Sequence, residues 1–273
     1  MGAIDEAGRG LFRQDRDGER RDRWTTERVL SIRNWTPTLL SFRTTRWRAF
    51  RFTAGQYTRL GLGADDDPVW RPFSLASAAY DDFLEFIAVL VPGGRFSQRL
   101  SRLRIGDSLR VDKTSYGFLT VDQLASGKDL WLLASGTGLG PFMSILRDPS
   151  VWQDYERLIV AHSVRHTSEL AWRDEIGEIR NGELFAEANA TLRYLPIVTR
   201  EPGACGLAEH IPLLLADGRL ERAAACELGV ANARVLVCGN PAMARELRQA
   251  LTARGLAPSR RGLPGQMAFE KYW

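Results

Sequence analysis

The sequence predicts a two-domain protein, a β-barrel plus an α/β unit: an antiparallel barrel followed by a parallel-sheet domain. Three observations predict it. Residues 24–121 hold short strand candidates broken by glycine, aspartate and proline, without helical periodicity. Beyond Lys128, short apolar runs alternate with segments of helical spacing, the texture of a parallel sheet covered on both faces. The chain has 273 residues and 44% hydrophobic content, enough for two modest cores.

Residues 1–23 set Asp5, Glu6, Asp15, Asp17, Glu19 and Asp22 against Arg9, Arg13, Arg16, Arg20, Arg21 and Arg23, with few large apolar groups. They read as a solvated, mobile extension, too acidic for an amphipathic targeting helix. In the barrel half, Leu40, Phe42 and Thr44 alternate with Ser41, Arg43 and Thr45, the period of a half-buried strand. Residues 83–91 are almost continuously apolar and read as a strand buried on both sides. Residues 106–117 are expected to close the barrel, and 122–128 form the linker, giving units at 24–125 and 126–273. In the second unit the apolar runs 130–134, 158–162, 192–198 and 235–238 are the strand candidates. Between and after them come helical patterns such as Trp172, Ile176, Ile179 and Met243, Leu247, Leu251.

Composition narrows the function. The three cysteines, Cys205, Cys226 and Cys238, have no CxxC spacing, so they suit neither a disulfide framework nor a zinc or iron–sulfur cage. No metal site is expected, and any redox cofactor is held without cysteine ligands. The net charge of +4 rests on arginine, since lysine occurs only at positions 113, 128 and 271. Its sign suits an acidic partner, and no basic run with interleaved aromatics of the kind that tracks a nucleic-acid strand is read in the sequence. Without an apolar run of membrane-spanning length or a signal peptide, the expected address is the cytoplasm, with no membrane contact.

Three segments carry chemistry. Ser135-Gly136-Thr137-Gly138-Leu139-Gly140-Pro141 follows a buried strand and opens a helix at Pro141. Glycines admit a phosphate to the backbone and a helix start offers unpaired N–H groups, so a dinucleotide pyrophosphate is the natural occupant; a bare strand-to-helix turn is the alternative. Arg71-Pro72-Phe73-Ser74 supplies a cation, a rigid backbone, an aromatic face and a hydroxyl, which also describes a plain strand end with an exposed arginine. Cys238-Gly239-Asn240-Pro241 puts a thiol and a glycine at the carboxyl edge of the parallel sheet, where ligands of such folds collect; a buried cysteine also serves as a small hydrophobe.

In this order RPFS, GRFS at residues 94–97, SGTGLGP and CGNP resemble the bacterial ferredoxin(flavodoxin)–NADP reductases. The resemblance runs over residues 24–273 and takes in TAGQYT at 53–58, LEF at 84–86, ILR at 145–147 and the closing Tyr272-Trp273. It implies an antiparallel FAD-binding barrel followed by a parallel-sheet NADP-binding domain, with FAD and NADP(H) as cofactors and ferredoxin or flavodoxin as the partner of a monomer. It assigns Arg71 and Pro72 to the flavin pyrophosphate segment, Phe73 to the isoalloxazine face and Ser74 to the hydride-accepting nitrogen. Arg95, Phe96 and Ser97 fall on a loop that holds the FAD phosphates. Thr137 falls beside flavin and nicotinamide, Ile87 where relatives carry a tyrosine over the flavin, and Tyr272 and Trp273 on a tail that folds back across FAD.

For NADP the resemblance implies that Arg165, Thr199 and Arg200 grip the adenosine 2′-phosphate, with His210 where relatives place another arginine. Cys238, Gly239, Asn240 and Pro241 then line the nicotinamide side. Ser74, Thr137 and Cys238 form the reacting centre, and no histidine is assigned acid–base work because hydride transfer needs no general acid. A reductase of free flavin, ferric chelates or an oxygenase partner is the alternative in the same fold, and a non-catalytic nucleotide-binding regulator the alternative outside enzymology.

Overall fold

The structure, a computed structural model, describes residues 23–64, 67–185, 187–188 and 190–271. The segment 1–22 and the terminal Tyr272-Trp273, to which an extension and an FAD-covering tail were ascribed, therefore lie outside the described residues.

Six strands, β1 (Trp24–Asn34), β2 (Leu39–Thr45), β3 (Tyr57–Leu62), β4 (Val69–Ser74), β5 (Phe83–Val89) and β6 (Ser108–Asp112), form one antiparallel sheet in the order β4-β3-β6-β1-β2-β5. The sheet curls so that its end strands meet, Ala76 N–H donating to Glu85 O at 2.8 Å. Segment 106–117 joins the two halves of the barrel sheet in its middle. Its strand β6 pairs with β1 on one side and β3 on the other. Helix α1 (Arg95–Leu100) buries Phe96 and Leu100 against the barrel.

Strand β5 shows why an almost continuously apolar run, broken only by Glu85, was needed. Leu84, Phe86 and Ala88 face the barrel interior, while Ile87 on the opposite face packs into a core shared with the second unit. Both faces are covered, so no polar alternation survives. The segment 46–52 does interleave arginine with Trp47, Phe50 and Phe52, contrary to the sequence reading. Phe50 is buried in the barrel core and Phe52 packs against it, which leaves no aromatic ladder for a nucleic-acid strand.

The second unit is a five-stranded parallel sheet of order β11-β10-β7-β8-β9, built from β7 (Asp129–Ser135), β8 (Arg157–Val164), β9 (Thr191–Val198), β10 (Ala233–Gly239) and β11 (Met267–Lys271). Helices α2 (Gly140–Leu146), α3 (Pro149–Asp154) and α4 (Arg173–Glu178) cover one face. Helices α5 (Ile211–Ala216), α6 (Arg219–Ala224) and α7 (Pro241–Ala253) cover the other. The fifth strand, β11, had not been expected from sequence.

The linker is pinned rather than loose. Buried Arg234 donates to the carbonyls of Ala125 (2.7 Å), Ala233 (2.6 Å) and Ser126. Across the seam, Glu85 accepts from Arg43 of β2 at 2.8 Å and from Arg147, at the end of α2, at 2.6 Å, and Arg147 also reaches Ala76 O. Because Glu85 is 4% exposed, this shared carboxylate is the polar anchor that fixes α2, and the turn ahead of it, against the barrel.

Candidate functional site

The barrel contributes the end of β4. Arg71 is exposed and, among the described residues, bonds its neighbour's carbonyl, Trp70 O, at 2.8 Å, which leaves most of its guanidinium fork facing outward. Phe73 is half-buried, its ring 5.2 Å from Phe96 and edge-on to Phe42 and Phe86. Arg95-Phe96-Ser97 lies on a helix, not on the expected loop. Phe96 is core, Ser97 Oγ accepts from Val91 N–H at 2.9 Å, and Arg95 forks onto the Asp67 carboxylate at 2.7 and 2.9 Å. Ile87 is turned into the shared core, 6% exposed.

The parallel sheet contributes two turns locked together at its carboxyl edge. Gly138 lies so close to β10 that a Cβ there would drive into the carbonyl of Cys238. Gly239, at φ +131°, lies equally hard against Ser135. Asn240 N–H donates to Ser135 Oγ at 2.8 Å, and Asn240 Oδ1 caps α7 by accepting from Ala242 N–H at 2.7 Å, with Pro241 in the first turn. Thr137 is thus held in a buried position beside the tightly packed Gly138. Gly138→Ala is expected to cost about 1–3 kcal/mol in urea unfolding, because the intruding methyl meets backbone rather than a mobile side chain. Gly177→Ala, where a Cβ would meet nothing within 4 Å, is the control and should be neutral or stabilising.

The two halves meet at a residue that sequence reasoning missed. In the parallel register Cys238 lies opposite Glu270 of β11, and the Ser74 hydroxyl donates to Glu270 Oε1 at 3.1 Å. Burial pushes the Glu270 carboxyl up to about 7, with the Ser74 bond pulling weakly the other way. Beside it Gly117, at φ +105°, leaves bare backbone. A Cβ there would stand 3.1 Å from the Tyr57 ring and 3.3 Å from Glu270 Oε2. Tyr57 stacks on Tyr116 at 5.7 Å and completes this wall.

Farther along the edge, β8 and β9 end side by side. Arg200 N–H donates to Arg165 O at 2.9 Å and Thr199 N–H to Val164 O at 3.0 Å, so the two exposed arginines leave the sheet together. Carboxylates tie down their loops without covering the guanidinium groups. Glu169 accepts from Arg165 N–H at 2.8 Å; Glu201 accepts from Thr167, N–H and hydroxyl, and pairs with His166 at 3.0 Å. Hydrogen bonds from Thr167 hold Glu201 below the usual carboxylate range. His210 occupies the N-cap position of α5 without a side-chain capping bond, on a segment linked to β9 through the Ile197–Leu207 bridge.

Two family models match: the oxidoreductase FAD-binding domain over residues 31–119 and the oxidoreductase NAD-binding domain over 132–249. The ferredoxin–NADP reductase of Pseudomonas aeruginosa is 39% identical over 249 residues, covering 90% of this chain and 96% of that protein. The chain belongs to the ferredoxin–NADP reductase family. The flavodoxin/ferredoxin–NADP reductase of Escherichia coli K12 is 34% identical over 92% of this chain and 99% of its own length. The crystal structure of a ferredoxin NADP+ reductase from Neisseria gonorrhoeae, with bound FAD and NADP, superposes with a TM-score of 0.85 at 34% identity, over 92% of this chain and 99% of that one.

As a member of this family the chain is an FAD-dependent oxidoreductase in two parts, and its own residues fit such a group. The bare backbone at Gly117, the outward Arg71 fork and the Ser74–Glu270 pair leave room and polarity for a flat ring with a diphosphate. A cavity of 440 Å³ between Thr53, the linker and α3 shares no residue with this set. Among the described residues no group of three or more His, Cys, Asp or Glu could hold a metal ion, and no helix is long and apolar enough to cross a membrane.

Proposed function

We propose that the chain carries electrons between NADP(H) and ferredoxin or flavodoxin, holding FAD in residues 24–125 and NADP in residues 126–273. The observation that carries this reading is the Ser74–Glu270 hydrogen bond, which joins the barrel motif to the strand beside Cys238 and brings flavin-side and nicotinamide-side residues to one point. Bound FAD would supply the conversion between a two-electron hydride and single electrons. The chain's residues bind and orient. Arg71 takes the flavin diphosphate, Phe73 lends its exposed edge to the ring, and Ser74 presents a hydroxyl to the accepting nitrogen. Thr137 and Cys238 bracket the nicotinamide, with Gly239, Asn240 and Pro241 beside them, while Arg165, Thr199, Arg200 and His210 receive the 2′-phosphate. Ile87 acts behind the ring as packing, and Arg95 serves the phosphates only if it parts from Asp67.

An arginine-based positive surface suits an acidic carrier, and three free cysteines suit a cytoplasmic monomer. The test is direct. Purified protein is expected to be yellow and to reduce ferredoxin or flavodoxin with NADPH. Colourless protein that takes up no added FAD would defeat the reading, and transfer to ferric chelates or free flavin alone would replace the carrier.

A further inference from the structure

His162 sits near the carboxyl end of β8, between Ala134 of β7 and Pro196 of β9, and is 1% exposed. Its Nε2 lies 3.0 Å from Gly136 O and its Nδ1 3.1 Å from the Tyr194 hydroxyl. A carbonyl only accepts, so the ring proton is on Nε2 and the Tyr194 hydroxyl donates to the bare Nδ1. Burial lowers the imidazole to about 4, which keeps this neutral tautomer throughout the working range.

Gly136 is where that bond matters. It stands at φ +52° and is exposed, with nothing within 4 Å of where a Cβ would stand, so no side chain packs on it from that side. The rest of the turn is fixed at Ser135, by Asn240 N–H, and at Gly138, by the Cys238 carbonyl. Gly136 opens the 3-10 helix Gly136–Leu139, its carbonyl is held from beneath by His162, and Thr137 follows it directly.

We infer that His162 is a positioning residue for coenzyme: its Nε2–H, oriented by Tyr194, holds the Gly136 carbonyl and so sets Thr137 at the nicotinamide seat. The inference rests on the reading of residues 135–140 as that seat. An imidazole is suited to the task because it spans from sheet to turn, donates at one end and is kept in one tautomer from the other. A leucine fills the same space without the donor. A glutamine carries its amide N–H close to the position of Nε2.

The test compares wild type with His162→Leu, His162→Gln and Tyr194→Phe. In His162→Leu, amide hydrogen exchange over residues 136–140 is expected to quicken at least tenfold while β7 is unchanged. In His162→Gln it should stay within about threefold of wild type. In the FAD-loaded enzyme, His162→Leu should lower the rate of flavin reduction by NADPH and weaken NADP+ binding, with His162→Gln restoring both and FAD retention unaltered. Nitrogen NMR of wild type should show a protonated Nε2 and a bare Nδ1 at pH 7, and Tyr194→Phe should shift the Nδ1 signal alone. The opposite tautomer, or equal exchange in the leucine and glutamine variants, overturns the inference even if the protein is a working reductase. Loop exchange and tautomer as expected in a protein that binds no FAD would instead sustain the tether and remove its purpose.

Discussion

Replacing Arg165 and Arg200 together by alanine is expected to lower kcat/KM for NADPH about a hundred- to a thousandfold while leaving NADH within about threefold. The two guanidinium groups leave adjacent strand ends, and the carboxylates near them are spent on backbone N–H groups, Thr167 and His166. A dianion arriving there meets two forks at once. Each charge-assisted contact is worth about 1.5–3 kcal/mol where solvent is excluded and less at so open a site, which gives the range stated. The loss should fall on KM, because the phosphate is remote from the reacting carbon and is bound equally before and during transfer. His210→Arg should move preference the other way, toward NADPH, by up to about tenfold, because a guanidinium stays charged at pH 7. Equal losses with both coenzymes would assign the arginines to a moiety that the two share and end the 2′-phosphate reading.

The barrel followed by a parallel sheet was legible because its signals are local. Alternation in β2, the almost continuously apolar run of β5 and the apolar stretches of β7 to β10 each fit within one segment. Strand β11 was not legible. It is a five-residue edge strand, buried fully only at Met267, and it gains definition from pairing with β10. Missing it meant missing Glu270, whose part in the site comes from meeting Ser74 across 196 positions of chain. Arg95 shows the reverse: the motif is plain in sequence, yet Asp67 takes its fork through a fold contact that no local pattern announces. His162 lies within an apolar run, and only the Gly136 carbonyl above it distinguishes a tether from a filler.

Glu270 is expected to give the reductase a pH profile of its own. Protonated, it can donate to Ser74 Oγ and release the Ser74 hydrogen toward the accepting nitrogen of FAD; ionised, it holds that hydrogen to itself. Flavin reduction by NADPH should therefore be faster at pH 6 than at pH 8, with the change centred near 7. Ser74→Ala should slow it about ten- to a hundredfold at pH 6, the value of one well-placed donor, and much less at pH 8, where Glu270 already holds that hydrogen. Glu270→Gln keeps an N–H for Ser74 Oγ at every pH, so it should flatten the profile near the fast limit, and Glu270→Ala, which removes the titrating carboxylate, should lose the pH dependence as well.

Stability gives an independent reading of the same group. With a folded value of about 7 against an ordinary 4.5, the native state binds the extra proton between those limits. Stability contributed by the neutral acid is full below 4.5, falls as pH rises, and is gone above 7, a loss of at most about 3 kcal/mol. Glu270→Gln should thus match wild type in urea unfolding at pH 4.5 and exceed it at pH 8. A glutamine variant that keeps the wild-type pH profile, or no stability gap at pH 8, would mean that the Glu270 carboxyl is only a spacer between β11 and the barrel.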